Sequence, residues 1–183
     1  MMWFVLPLTP FHYPIAYFLH KFSKTLSLPG LIVGSMIPDL EIPLMLLISG
    51  TDGPNRLVLH SLLGSATIGT LLAVIITIRF YPFLVGSIFR VDREKVENKC
   101  RLSSTLVFSV LIGSISHVLL DVTNHLHNPV FWPFLEAEMT ISPFYVVLGD
   151  QFGYLWMQVI MGILFLAVIL FEKKDLSEKL LVG

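Results

Sequence analysis

Charged residues are scarce in this chain of 183 residues: they make up 14% of it, whereas hydrophobic residues make up 55%. Soluble domains carry about 25% charged residues, so an ordinary soluble protein is excluded. The formal net charge is −1 and the basic residues are not arranged as a nucleic-acid-binding surface, so nothing indicates a DNA or RNA partner. The single cysteine, Cys100, excludes an intrachain disulfide and a metal site built from cysteines.

Long apolar runs are what the chain has instead. A helix needs about 20 apolar residues to cross about 30 Å of hydrocarbon, and four runs approach that length: Leu28–Ile48, Leu57–Ile78, Leu102–Thr123 and Gln151–Phe171. The N-terminal residues lack the basic start of a signal peptide and predict a short, partly embedded amphipathic helix over Thr9–Phe22. The sequence therefore predicts one membrane-embedded domain over residues 1–183, an all-α bundle of about four transmembrane helices with an N-terminal amphipathic helix.

The basic residues predict how this bundle is oriented. Lys21 and Lys24 precede the first run, a Lys/Arg-rich segment at 79–101 follows the second, and a charged segment at 172–179 follows the fourth. Two spans separate each successive pair of these segments, and the positive-inside rule places all of them in the cytoplasm. The connections at 49–56 and 124–149 are then expected to face outward from the cell membrane.

Small and polar residues recur at helical spacing in two of the runs. In the third run a residue of this kind stands at every fourth position: Thr105, Ser109, Gly113, His117, Asp121 and His125. The second run has a similar stripe: Ser61, Ser65, Gly69 and Ala73. Small residues let helices approach closely in lipid, so these two stripes predict that the second and third spans pack together.

Carboxylates inside the spans indicate a metal site. An ionised carboxylate costs several kcal/mol in a span, and no Lys or Arg lies within any of the runs to compensate Asp39 or Asp121. His117 and Asp121 are spaced i, i+4, which lets both reach one ion, and His60 and His12 are expected at the same outer level. Nitrogen and oxygen ligands without thiolate suit zinc, manganese or iron.

Several of these residues allow a second interpretation. Asp39 follows Pro38 and has the residue type of a helix N-cap, while Glu41 suits a position behind a ligand or at the interface. Among Asn124, His125 and His127, at least one is expected to end the third span at the interface, and the spacing favours His125 as a ligand only weakly. A transporter of metal ions or protons, or a non-catalytic protein with a structural metal, would use the same residues.

The ordered motifs resemble a known family. "TPFHYP" with His12, "GSMIPDLE" with Asp39, "LHSLLG" with His60, "SHVLLDVTNH" with His117 and Asp121, and "FWPF" resemble the prokaryotic membrane-bound metal-dependent hydrolases, some of which are LexA-regulated in bacteria. That family is distantly similar to the zinc-dependent phospholipase C and single-strand nuclease superfamily. Two positions depart from the bacterial pattern, which often has an aspartate at position 41 and an arginine at position 61.

The resemblance implies a metal-dependent hydrolase that acts on a phosphoester, with a lipid-like substrate suggested by the membrane position. It implies one or two divalent ions, most simply zinc, held by six of the residues named above: His12, Asp39, His60, His117, Asp121 and either His125 or His127. Glu41 and His125 are the candidates for moving the proton. Membrane lipids and a small or lipid-like substrate are the expected partners, the site is expected near the extracytoplasmic face, and the sequence leaves the oligomeric state open.

Overall fold

A computed structural model describes residues 12–50, 56–172 and 176–183. Ten α-helices are described: α1 (Tyr13–Phe22), α2 (Leu28–Met36), α3 (Glu41–Ser49), α4 (Leu62–Gly64), α5 (Thr70–Arg79), α6 (Tyr81–Phe89), α7 (Arg93–Lys99), α8 (Ser104–Asn124), α9 (Pro143–Phe171) and α10 (Leu176–Leu181). Short 3-10 helices add Pro38–Leu40 and Ala137–Met139, and a π-helical stretch at Ser65–Gly69 joins α4 to α5. No β-strand occurs in these three ranges.

Three helical segments are long and apolar enough to cross a membrane: Leu28–Ser49, Leu62–Arg79 and Ser104–Thr123. A shorter apolar helix follows at Leu155–Phe171, within α9, whose axis breaks at Gly149 with φ of 77°. The predicted all-α membrane bundle is confirmed. The predicted N-terminal helix is described from Tyr13, and its residues 9–11 lie outside the described ranges.

The first span changes geometry in its middle. Ser27 caps α2 by accepting a hydrogen bond from the Gly30 amide, and the helix continues to Met36. A 3-10 turn at Pro38–Leu40 then replaces α-helical geometry, because proline supplies no amide for the preceding turn. Glu41 begins the next helix. The predicted interruption is confirmed, and it turns the buried Asp39 toward the interior of the bundle.

The second span begins later than the sequence predicts. Helix begins at Leu62, where the Ser61 hydroxyl accepts a hydrogen bond from the Gly64 amide, so residues 57–61 of the predicted span are not helical and Ser61 is the helix cap, a role that its residue type allows. The amides of Leu57, Val58 and Leu59 donate to the Glu41 carboxylate instead of forming a helical turn. Hydropathy could not detect this, because apolar side chains are compatible with either backbone conformation. Non-helical backbone is tolerated at membrane depth when protein satisfies its polar groups.

The third span, α8, packs most closely against the first span. A Cβ on Gly34 would lie 2.3 Å from the Val110 carbonyl oxygen, and one on Gly113 would lie 2.4 Å from that of Leu31. The predicted contact with the second span also exists, through the hydroxyls of Ser65 and Ser114. However, assigning the Ser109 and Gly113 stripe to that neighbour was wrong, since both residues face α2, where Gly30 and Gly34 allow the close approach.

This close approach predicts that Gly34→Ala destabilises the protein. The added methyl meets backbone rather than a movable side chain, so the helices must separate, at a cost of about 1–3 kcal/mol. Thermal unfolding in detergent, followed by circular dichroism, measures the effect. Gly162→Ala is the matched control, because nothing lies within 4 Å of its Cβ position. Equal stability of the two variants would contradict the packing described.

Candidate metal centre

Separate elements of the fold bring five of the predicted ligands to one place. His12 lies at the start of α1, Asp39 in the 3-10 turn, His60 just before α4, and the other two on α8. All five are at most 8% exposed: His12, Asp39, His60, His117 and Asp121. Sequence positions as distant as 12 and 121 therefore converge in the interior of the bundle.

The Asp121 carboxylate lies at the centre of the cluster. Its Oδ1 is 3.7 Å from Nε2 of His12 and 3.7 Å from Nε2 of His125. Its Oδ2 is 3.6 Å from Nε2 of His60 and 3.5 Å from Nε2 of His117. Those last two nitrogens also face Asp39, whose Oδ1 is 3.8 Å from His60 Nε2 and 3.6 Å from His117 Nε2.

These separations are too long for hydrogen bonds, which join nitrogen and oxygen at about 2.7–3.2 Å. Both carboxylates and the Nε2 atoms of His60, His117 and His125 are buried without a hydrogen-bond partner. Ligands at 2.0–2.1 Å from a tetrahedral zinc ion lie about 3.4 Å apart, close to the observed spacing. Two triplets of donor atoms within 4.8 Å of one another meet this description: His12, His117 and Asp121, and Asp39, His60 and His117. The donor set therefore fits a divalent ion.

Hydrogen bonds on the opposite side of two imidazoles aim them into the cluster. His60 donates from Nδ1 to Glu41 Oε2 at 2.9 Å, and His117 donates from Nδ1 to the Ser35 carbonyl at 2.7 Å. Each ring then presents the lone pair of Nε2 to the centre, which is how carboxylates and carbonyls orient metal-binding histidines. Glu41 also accepts three backbone amides, so its contacts are those of a residue that positions His60.

Burial favours the neutral form of two histidines of the cluster, His12 and His125. It lowers the pKa of His12 to about 3, with a further lowering by the nearby His117, although the Asp121 charge opposes both effects. Burial likewise lowers the pKa of His125 to about 4 against the opposing charge of Asp121. Neutral imidazole is the form that binds metal, so both rings are in the right state at neutral pH.

The structure separates the two histidines that the sequence left as alternatives. His125, at the end of α8, extends back to Asp121, and the Asn128 side chain donates to the carbonyls of both residues at 3.0 Å. His127 is exposed and pairs with Ile141 through its backbone, away from the cluster. Among the candidate ligands, His127 is the one that the structure does not bring to the cluster.

Arg56 is a neighbour of the site that the sequence argument missed. Its Nε lies 3.7 Å from Asp121 Oδ2, and only 13% of its side chain is exposed. Arg56 lies immediately before the second apolar run, outside the spans in which a cation would compensate a buried carboxylate. Its place in the sequence, four residues before the candidate ligand His60, could have indicated that it lies near the site.

An apolar cavity of about 720 Å³ extends from Asp39 to α6. The first span forms one wall with residues such as Met36 and Leu40, and α6 forms another with Leu84 and Ile88. Among the residues that line it, only Asp39 carries a charge. The cavity therefore connects a hydrocarbon-like space with a candidate ligand.

The fold and the site define an all-α membrane protein with a buried His/Asp cluster between its helices. Within that class, the chain belongs to the YdjM inner membrane protein family, whose family model matches residues 11–176. The predictions of a membrane location and of a prokaryotic membrane protein family are thereby supported. No curated protein and no solved structure matched the chain. The family description names no reaction, so the hydrolase prediction is neither supported nor contradicted by it.

Proposed function

We propose that the protein is a membrane-bound metal-dependent hydrolase that acts on a lipid-like phosphoester. The observation that carries the proposal is the set of buried, unpartnered donor atoms around Asp121, which are spaced as ligands rather than as hydrogen-bond partners. Zinc is the ion that this donor set suits best, and manganese or iron would also be accepted.

The contacts of Asp121 support two ions. One oxygen, Oδ1, faces His12 and His125, while the other, Oδ2, faces His60 and His117. Asp39 lies only on the second side, where it faces the same two histidines as Oδ2. Asp121 would therefore lie between two positions, one of them held by more protein ligands than the other. A position with few protein ligands is what distinguishes a catalytic site from a structural one.

A divalent ion in this cluster would polarise a phosphoryl oxygen and lower the pKa of a bound water toward about 7. The chain contributes the placement of the donor atoms and the exchange of protons. His125 is the best placed for the second role when its Nε2 does not bind an ion, because its side chain is 14% exposed and that nitrogen faces a single carboxylate oxygen. The contacts of Glu41 support positioning of His60 rather than proton transfer.

The side of the membrane on which the site lies is proposed from the distribution of basic residues. Arg56 and His125 lie in or beside the two connections that the positive-inside rule places outside the cytoplasm. The exposed charges of α7, including the Arg93–Glu97 pair, lie on the segment assigned to the cytoplasm. We therefore place the metal centre toward the extracytoplasmic face of the membrane.

A lipid-like substrate is supported by the cavity that reaches Asp39. Its volume of about 720 Å³ falls within the range of small-molecule sites, roughly 300–1,000 Å³. Its walls come from the first span and from the apolar helix α6, and their side chains suit a hydrocarbon chain. The ester group of such a molecule would then lie at the cluster while its chain lies along α6.

Hydrolysis by purified, zinc-loaded protein in mixed micelles tests this function. A fluorogenic long-chain phosphodiester is expected to be cleaved faster than its short-chain analogue, and a chelator is expected to stop both reactions. Leu84→Trp, which narrows the cavity, should slow cleavage of the long-chain substrate by about tenfold and leave the short-chain rate unchanged.

The matched control for that experiment is Phe83→Trp. Phe83 is the neighbouring residue on α6 and is 56% exposed, but it does not line the cavity. It should not change either rate. Stoichiometric metal without cleavage of any phosphoester would instead indicate a structural site or a transport site.

A further inference from the structure

Arg56 lies farther from its carboxylate neighbour, Asp121, than the arginine of a hydrogen-bonded ion pair does. Charged groups that are dedicated to each other make hydrogen bonds of about 2.7–2.9 Å, whereas Arg56 Nε lies 3.7 Å from Asp121 Oδ2 and has no hydrogen-bond partner although it is buried. Among the Lys and Arg residues that the structure describes, Arg56 is the one whose ion pair involves a residue of the cluster. The Arg56 guanidinium thus lies beside the cluster, and its Nε remains able to donate a hydrogen bond.

Neighbouring contacts hold Arg56 in this place. The next three residues, Leu57, Val58 and Leu59, donate their amides to Glu41, which also holds His60. The same carboxylate therefore fixes the segment that carries Arg56 and the ring that faces Asp39 and Asp121. The arginine is positioned together with a candidate ligand.

With two divalent ions bound, the charge of the site would favour an anion. Metal ligation by Asp121 would neutralise the carboxylate that faces Arg56. Two divalent ions and one guanidinium carry more positive charge than Asp39, Asp121 and Glu41 can balance. Buried charge without compensation is costly, so a negatively charged group is favoured beside Arg56. A guanidinium forms paired hydrogen bonds with phosphate oxygens particularly well.

We infer that Arg56 is an anion-binding residue that holds a phosphate oxygen of the substrate beside the metal ions. This inference rests on the proposed function and makes it more specific. The substrate class is a phosphate monoester or diester, which carries the required negative charge. A neutral carboxylic ester or an amide does not carry that charge.

Binding of inorganic phosphate to zinc-loaded protein tests the inference without depending on turnover. Wild type, Arg56→Gln and Arg56→Lys are loaded with zinc, their metal content is measured by elemental analysis, and phosphate affinity is measured by calorimetry. We expect unchanged metal content in all three proteins. Phosphate affinity should fall by about tenfold or more in Arg56→Gln, and by less in Arg56→Lys, which keeps the charge. Arg79→Gln, at the opposite end of the second span, should bind phosphate like wild type.

The possible failures are distinguishable. Loss of zinc from both Arg56 variants would show that the arginine supports the metal cluster, and would overturn the anion-binding role. Unchanged phosphate affinity in zinc-loaded Arg56→Gln would overturn it as well, as would zinc-loaded wild type that binds no phosphate. A wild type that takes up no zinc, manganese or iron would refute the proposed function and this inference together.

Discussion

Asp121→Ala protein is expected to contain no bound metal, whereas wild type purified in detergent should contain zinc or another divalent ion in near-stoichiometric amount. Both oxygens of Asp121 face imidazole nitrogens, two on each side. The substitution therefore removes a ligand from the triplet of His12, His117 and Asp121, and it removes from His60 and His117 of the other triplet the second carboxylate that faces them. His117→Ala is expected to have the same effect, because His117 belongs to both triplets of donor atoms. Elemental analysis per chain measures the result.

The matched control for these variants is His127→Ala. It removes a histidine side chain, as His117→Ala does, but from the connection after α8, where His127 is exposed. Its metal content should equal that of wild type. Metal retained by Asp121→Ala, or absent from wild type after reloading, would contradict the metal centre. Circular dichroism of each variant establishes that lost metal does not merely reflect unfolding.

The sequence predicted the spans well because their length and hydropathy follow from the thickness of the bilayer. It failed at Leu57–Ser61, where the backbone conformation depends on a distant acceptor, Glu41, rather than on local side chains. It also chose the wrong principal neighbour for α8. A stripe of small residues predicts that α8 approaches another helix closely, but it does not identify that helix. The first and second spans both carry small residues, and it is Gly30 and Gly34 of the first span that lie against α8.

Most of the site was predictable because ionisable residues are rare inside spans and each therefore carries information. Asp39, His117 and Asp121 were selected on that ground, and the structure brings them together. Arg56 and Asn128 were missed since both lie in non-helical connections, where polar residues are common. The choice between His125 and His127 depended on how the chain leaves α8, which spacing alone does not determine.

Glu41 connects the fold with the site, because its carboxylate contacts both the backbone before the second span and a candidate ligand, His60. The sequence predicted a position behind a ligand and also made Glu41 a candidate for moving protons. Its contacts agree with the first role, since they hold His60 and the amides of Leu57, Val58 and Leu59. Glu41→Ala would leave these donors without their acceptor, at about 1–3 kcal/mol for each one that stays buried. Loss of such a partner typically weakens metal binding by about 10–100-fold.

We therefore expect Glu41→Ala to unfold at a lower temperature and to bind zinc at least tenfold more weakly, measured by competition with a chelator. Glu97→Gln, on the exposed face of α7, is the control and should change neither quantity. The two roles separate when zinc is saturating. If Glu41 only positions His60, excess zinc restores most of the turnover of folded Glu41→Ala protein, because the ion itself then draws His60 into place. If Glu41 transfers a proton, turnover stays low at any zinc concentration, because the group that exchanges the proton is absent.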